Sequence, residues 1–186
     1  MGELIAIASG KGGTGKTSFC AGIATALASA DRRVLCIDCD VGLRNLDISL
    51  GLSNYPSLSF LEVCQGDYPL DQATVHPQFP RLHFLTAPMN ASIDTIDTTA
   101  FADLIHAARQ RYDYILLDAP AGVEAGFRLA TSLADRCILV TGPSPAAIRD
   151  AERTGQLLEL MGKQNVRIVV NRINRKISSA MDLTVD

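Results

Sequence analysis

Residues 10–17, Gly-Lys-Gly-Gly-Thr-Gly-Lys-Thr, stand between an apolar run at 4–8 and a stretch in which apolar residues return every third or fourth position. Few folds can use such an octapeptide. Its glycines leave the backbone free to take positive φ and to approach a ligand closely, so successive amides can converge on an anion. A helix beginning directly afterwards adds the partial positive charge of its N-terminus. The spacing satisfies G-x-x-x-x-G-K-[ST] in the setting that pattern requires, a strand before it and a helix after it. Lys16 is then expected to meet the β- and γ-phosphates of a nucleotide and Thr17 to offer its hydroxyl to Mg²⁺. Lys11 is a second lysine that the pattern does not need.

Apolar runs of strand length recur at 4–8 (LIAIA), 33–38 (RVLCID), 82–87 (LHFLTA), 114–119 (YILLDA), 137–142 (CILVTG) and 166–171 (VRIVVN). They are continuous rather than alternating, which predicts strands buried on both faces. Helical periodicity lies between several of them. In 16–30 it runs through Phe19, Cys20, Ile23, Ala24 and Leu27, and in 145–161 through Ile148, Ala151, Leu158 and Met161, with Ser144 and Pro145 as cap and first-turn proline. Strands alternating with helices predict an α/β fold, a doubly wound, mostly parallel sheet flanked by helices. Residues 52–98, broken by five prolines, suggest only a helix near 57–65. No repeat, linker or low-complexity tract divides the 186 residues, so one domain over 1–186 is expected.

Hydrophobic residues make up 47 % of the chain and the formal charge is −3, with acidic and basic residues interspersed. That balance gives no signal for nucleic acid or an anionic membrane. Without a membrane span or a secretory leader, a cytoplasmic protein is expected. Five cysteines at irregular spacing fit reduced thiols, and Cys36 and Cys39, inside an apolar run, read as core residues rather than a redox pair.

Ligands of such sheets bind at the carboxyl ends of the strands, where acidic residues also fall. Asp118 ends YILLD, as a carboxylate ordering the shell of Mg²⁺ should, or as a plain turn or cap residue. Asp38 and Asp40 follow VLCI, where one could touch magnesium-bound water and the other position the attacking water; a polar loop after a strand is the plainer reading. Asn171 closes the last strand, and its amide could read a purine edge or be structural.

Taken together these residues resemble the deviant Walker A ATPases, of the Min and partition type. KGGTGKT resembles the loop in which the early lysine is the family signature. DCDVGLRNLD (38–47) resembles the first switch of the septum-placing Min ATPases, LLDAPAGVE (116–124) their Walker B and second switch, PSPAAIRDAER (143–153) the helix after it, and VVNR (169–172) their base-contacting strand end. GLRNLD favours the Min type over partition ATPases, with a partition ATPase or a flagellar-number regulator as the alternative.

The resemblance implies a slow, switch-type ATPase with ATP and Mg²⁺ as ligands. Gly10, Lys11, Gly12, Gly13, Thr14, Gly15, Lys16, Thr17 and Ser18 would hold the phosphates, and Asn171 and Arg172 the adenine. Thr17, Asp38 and Asp118 would serve the metal, and Lys11, Lys16 and Asp40 catalysis. Asp40, Asn45, Ala119, Pro120 and Gly122 would form the switches. Lys11 would reach the phosphates of the other subunit in an ATP-dependent homodimer, which makes the complete site depend on assembly. Partners resembling the division inhibitor and topological factor of the Min system are implied, and DNA binding is disfavoured. Min ATPases continue into a further strand and a basic amphipathic helix. The last dozen residues carry Arg175 and Lys176 against Asp182 and Asp186, so peripheral membrane attachment is expected only if such a helix exists beyond Asp186.

Overall fold

Each apolar run becomes a strand. In the computed structural model, which describes residues 1–41 and 43–173, the order is β1 (Glu3–Ala8), α1 (Lys16–Ser29), β2 (Val34–Asp38), α2 (Leu46–Ser49), α3 (Phe60–Cys64), β3 (Thr74–Val75), β4 (Leu82–Leu85), α4 (Thr98–Arg111), β5 (Tyr114–Asp118), α5 (Ala125–Ser132), β6 (Arg136–Thr141), α6 (Pro145–Leu160) and β7 (Val166–Val170). The expectation for 175–186 lies outside the described residues.

The strands form one sheet in the order β3-β4-β2-β5-β1-β6-β7. All pairs are parallel except β3 with β4. In β1, β2 and β5 alternate side chains enter two different cores: Leu35, Ile37, Ile115 and Leu117 one, Val34, Cys36 and Leu116 the other. The first core is closed by α3 to α6 through Phe60, Phe101, Phe127 and Leu158, the second by α1 and α2 through Cys20, Ala24 and Leu46. Helices on both faces explain why these strands are apolar without alternation. Cys36 and Cys39 are fully buried and belong to opposite cores, which separates them as a redox pair.

Helix α1 sits one position round from its expected stripe. Cys20, Ala21, Ala24 and Ala28 are buried, while Phe19, Ile23 and Leu27 flank them half-exposed. Small side chains let the helix axis come close to the sheet, and the larger ones cover the edges of that contact. A similar shift affects α6: Ala147, Ala151, Thr154 and Leu158 are buried, and Ile148 is exposed. Ser144 caps α6 by accepting a hydrogen bond from Ala147 N, with Pro145 in the first turn, as expected. At the end of α4, Arg109 donates to Asp135 (2.6 and 2.9 Å) and to Gly2 O, clamping the helix to the starts of β1 and β6. Among the described residues no helix is long and apolar enough to cross a membrane.

Candidate functional site

Three adjacent strands, β2, β5 and β1, end side by side, with Asp38 opposite Asp118 and Asp118 opposite Ile7 in the parallel registers. The loop from Ser9 to Gly15 leaves β1 there and turns into α1. Gly13 and Gly15 have φ of 78° and 87°, a region side chains with a Cβ avoid. Gly10 is required for space: a Cβ would lie 2.7 Å from both Asp150 O and Thr154 Oγ1 of α6. The loop rims a cleft of about 390 Å³, completed by Asp40, Asn45, Ile48, Ala121 and Arg172.

The start of α1 is prepared for an anion. Its cap, Gly15, supplies no side-chain hydrogen bond and its first turn holds no acidic residue. The amides of that turn therefore remain available to a ligand. Thr14 Oγ1 is buried without a hydrogen-bond partner, an orphaned polar atom inside the loop. A chain of phosphate oxygens supplies the acceptors that such a set of donors lacks.

Lys16 is buried and turned onto Asp118, with Nζ 2.6 Å from Oδ1 and 3.2 Å from Thr17 Oγ1. Burial pushes the Asp118 carboxyl up, and the charge of Lys16 and the hydrogen bonds from Lys16 and Thr17 pull it back down. This places a cation on the hydroxyl and carboxylate oxygens expected to serve magnesium. Hard oxygen donors of this kind suit Mg²⁺. Lys11 lies on the same loop but is exposed, and among the described residues it makes no ion pair.

Asp38 is fully buried and fastens the segment that follows β2, through Asp40, Asn45 and Leu46. Its Oδ1 accepts from Asp40 N (2.9 Å) and its Oδ2 from Asn45 N and Leu46 N (both 3.1 Å). Its carboxyl is pushed up to about 6, mainly by burial and further by the charge of Asp118, against the three amide donors. Asp40 is half-buried at the cleft wall, raised by burial and lowered by Lys16. The segment after β5 is tied to β1 and to the loop: Ala119 N donates to Ile7 O, and Gly122, at φ 93°, donates its N–H to Ser9 O at 3.1 Å. Pro120 stands between these two anchors.

Asn171 and Arg172 follow β7. Arg172 reaches the cleft, whereas the Asn171 side chain turns to the loop, Nδ2 donating to Thr14 O at 2.9 Å and Oδ1 accepting from Arg172 N at 2.8 Å. Two cleft residues, Leu43 and Ile48, were not candidates from sequence, yet they are 70 % and 63 % exposed at its mouth. Their signal is an apolar side chain set among charged neighbours in a segment with no helical or strand period, readable only once the loop's place is known.

Comparison with known proteins gives the family. Residues 5–183 match the CobQ/CobB/MinD/ParA nucleotide binding domain. The chain is 40 % identical over 184 residues to a protein of Guillardia theta named as a septum site-determining MinD, covering 98 % of this chain and 68 % of that one. It spans about two thirds of the length of the relatives it matches. It superposes on the MinC:MinD cell division protein complex of Aquifex aeolicus with a TM-score of 0.83 at 40 % identity, covering 96 % of this chain and 72 % of the other. For the septum site-determining MinD of Pyrococcus horikoshii complexed with Mg-ADP the TM-score is 0.81 at 29 % identity, covering 100 % and 79 %. The chain belongs to the CobQ/CobB/MinD/ParA nucleotide-binding family, within its group of septum site-determining MinD proteins.

Proposed function

We propose that the chain is a MinD-type ATPase switch that binds Mg²⁺-ATP, dimerises around it, recruits a protein partner and resets by slow hydrolysis. The observation that carries this reading is the division of labour between two lysines of one loop: Lys16 buried on Asp118, Lys11 exposed and unpaired among the described residues. The loop amides and the α1 N-terminus would grip the phosphates, and Lys16 would exchange Asp118 for a phosphate oxygen. Thr17, Asp118 and Asp38 would hold Mg²⁺, which when bound draws negative charge from the β- and γ-phosphate oxygens. Asp40, at the cleft wall, would orient the attacking water, and Arg172 would flank the base.

A face-to-face dimer is supported by what surrounds the cleft. Leu43, Ile48 and Val123 are exposed apolar side chains on or beside the switches. Lys11 is free to cross to a second copy. A trans lysine makes charge neutralisation complete only in the assembled dimer, which links hydrolysis to assembly. The Mg-ADP complex of the Pyrococcus horikoshii relative supports the ligand, and the Aquifex aeolicus MinC:MinD complex supports a MinC-type partner.

The test is Lys11→Ala, followed by light scattering and phosphate release with Mg²⁺-ATP. The expected variant binds nucleotide near the parent affinity, stays monomeric and loses hydrolysis by at least ten-fold. Dimerisation and turnover at the parent rate would remove the trans lysine from the mechanism.

A further inference from the structure

We infer that Asn171 is a positioning residue of the phosphate loop, whose side-chain amide locks the Thr14–Gly15 peptide with the Gly15 N–H turned to the phosphates. This rests on the reading of the cleft as a phosphate site. It concerns a residue that sequence alone left between reading a base and holding structure.

The peptide between Thr14 and Gly15 needs a lock. Turning a peptide plane over changes ψ of the first residue and φ of the second, and glycine takes either sign of φ at little cost. Gly15, at φ 87° and ψ 20°, is the cap of α1. The glycine that allows the loop conformation therefore also allows this peptide to leave it.

Asn171 supplies the restraint. Its Nδ2 donates to Thr14 O at 2.9 Å, a contact spanning 157 positions of sequence. In a trans peptide the C=O and the following N–H point in opposite directions, and no cis bond occurs among the described residues. Holding Thr14 O against Asn171 therefore aims the Gly15 N–H away from Asn171, toward the cleft that Gly15 lines and Asn171 does not.

The lock is itself held. Asn171 Oδ1 accepts from Arg172 N at 2.8 Å, in a turn where Arg172 takes φ 60°, and Asn171 N donates to Thr141 O at 2.7 Å beside β6. Both ends of the amide are thus used, and its backbone is pinned to the sheet. The fit is close: a Cβ on Gly15 would come 2.4 Å from Nδ2. Glycine at 15 serves φ and also leaves room for the amide of Asn171.

This role is blind to the base. Its loss lowers affinity for every nucleotide and also for a phosphate chain with no base at all. Asn171→Leu keeps the bulk without adding charge and removes the donor, and Asn171→Ala removes the amide. Each variant and the parent are titrated with Mg²⁺-tripolyphosphate, Mg²⁺-ATP and Mg²⁺-GTP, and the Gly15 amide is followed in ¹⁵N–¹H spectra. The expected result is a three- to ten-fold loss of tripolyphosphate affinity, the order of one hydrogen bond of about 1 kcal/mol, with ATP and GTP reduced at least as much. The Gly15 amide should move strongly downfield on tripolyphosphate addition in the parent and less in the variants.

An ATP loss without a tripolyphosphate loss would assign Asn171 to the base and overturn the inference. So would an unchanged Gly15 response. If the parent binds neither ATP nor tripolyphosphate, the reading of the cleft itself is wrong, a result separate from failure of the variants alone.

Discussion

Lys16 and Asp118 are 7 % and 1 % exposed in their side chains, so the two charges were moved out of water together. Such a pair gains little over an apolar one, but removing a single partner leaves an uncompensated buried charge and costs about 3–5 kcal/mol. Lys16→Met should therefore destabilise the ligand-free protein by about 3 kcal/mol in urea unfolding, besides losing its phosphate contact. Adding Asp118→Asn should recover part of that stability and none of the phosphate affinity. No recovery of stability would mean that Lys16 acts in folding through its packing rather than its charge. Glycine-lysine spacing was enough to find Lys16 in the sequence, but nothing local could show that it rests on a residue 102 positions away. Asn171 was harder to read for the same reason, since an asparagine after a strand looks alike whether it faces a base or a loop carbonyl.

At the scale of elements, the phosphate loop is packed from behind by α6. The close approach at Gly10, where a Cβ would meet Asp150 O and Thr154 Oγ1 at 2.7 Å, leaves no slack. Gly10→Ala must push α6 or the loop aside, and overpacking of this kind costs about 1–3 kcal/mol. The expected result is a lower unfolding free energy by that amount together with weaker tripolyphosphate binding; a neutral substitution would show that the contact yields freely.

The central strands were legible to within one or two residues because burial on both faces leaves an unbroken apolar run. Edge strand β7 was found by its apolar run too, but it is not buried on both faces as expected: among the described residues no strand lies beyond it, and Ile168 is 59 % exposed. Helix faces were less so. In α1 and α6 the largest apolar side chains mark the flanks of the contact and the small ones its centre, so a stripe drawn through Phe19, Ile23 or Ile148 is rotated from the true one. The segment of α4 carries Phe101, Leu104, Ile105 and Ala108 at helical spacing, a signal present in the sequence though absent from the helices read there. Strand β3, two residues long and antiparallel at the sheet edge, has no period to detect.

Across the whole molecule, chemistry gathers at one end of the sheet and the exposed apolar side chains beside it point to assembly. Ile48, 63 % exposed at the mouth of the cleft, belongs to neither core. Ile48→Lys should change the unfolding free energy by no more than about 0.5 kcal/mol, and weaken the proposed ATP-dependent dimer at least ten-fold in sedimentation. An undiminished dimer would place the assembly face elsewhere.

The pairing of Asp38 with Asp118 across β2 and β5 has a further consequence. A strand slipped by one residue turns every side chain to the other face. Asp38 would then leave the amides of Asp40, Asn45 and Leu46 without their acceptor and enter the core beneath α4. A chain closed out of register could bury nearly as much apolar surface, yet it would be blind to phosphate. Ligand binding favours whatever state it recognises in proportion to its concentration over Kd. A nucleotide bound at the cleft would thus draw the population toward the one alignment of strands in which both carboxylates stand there.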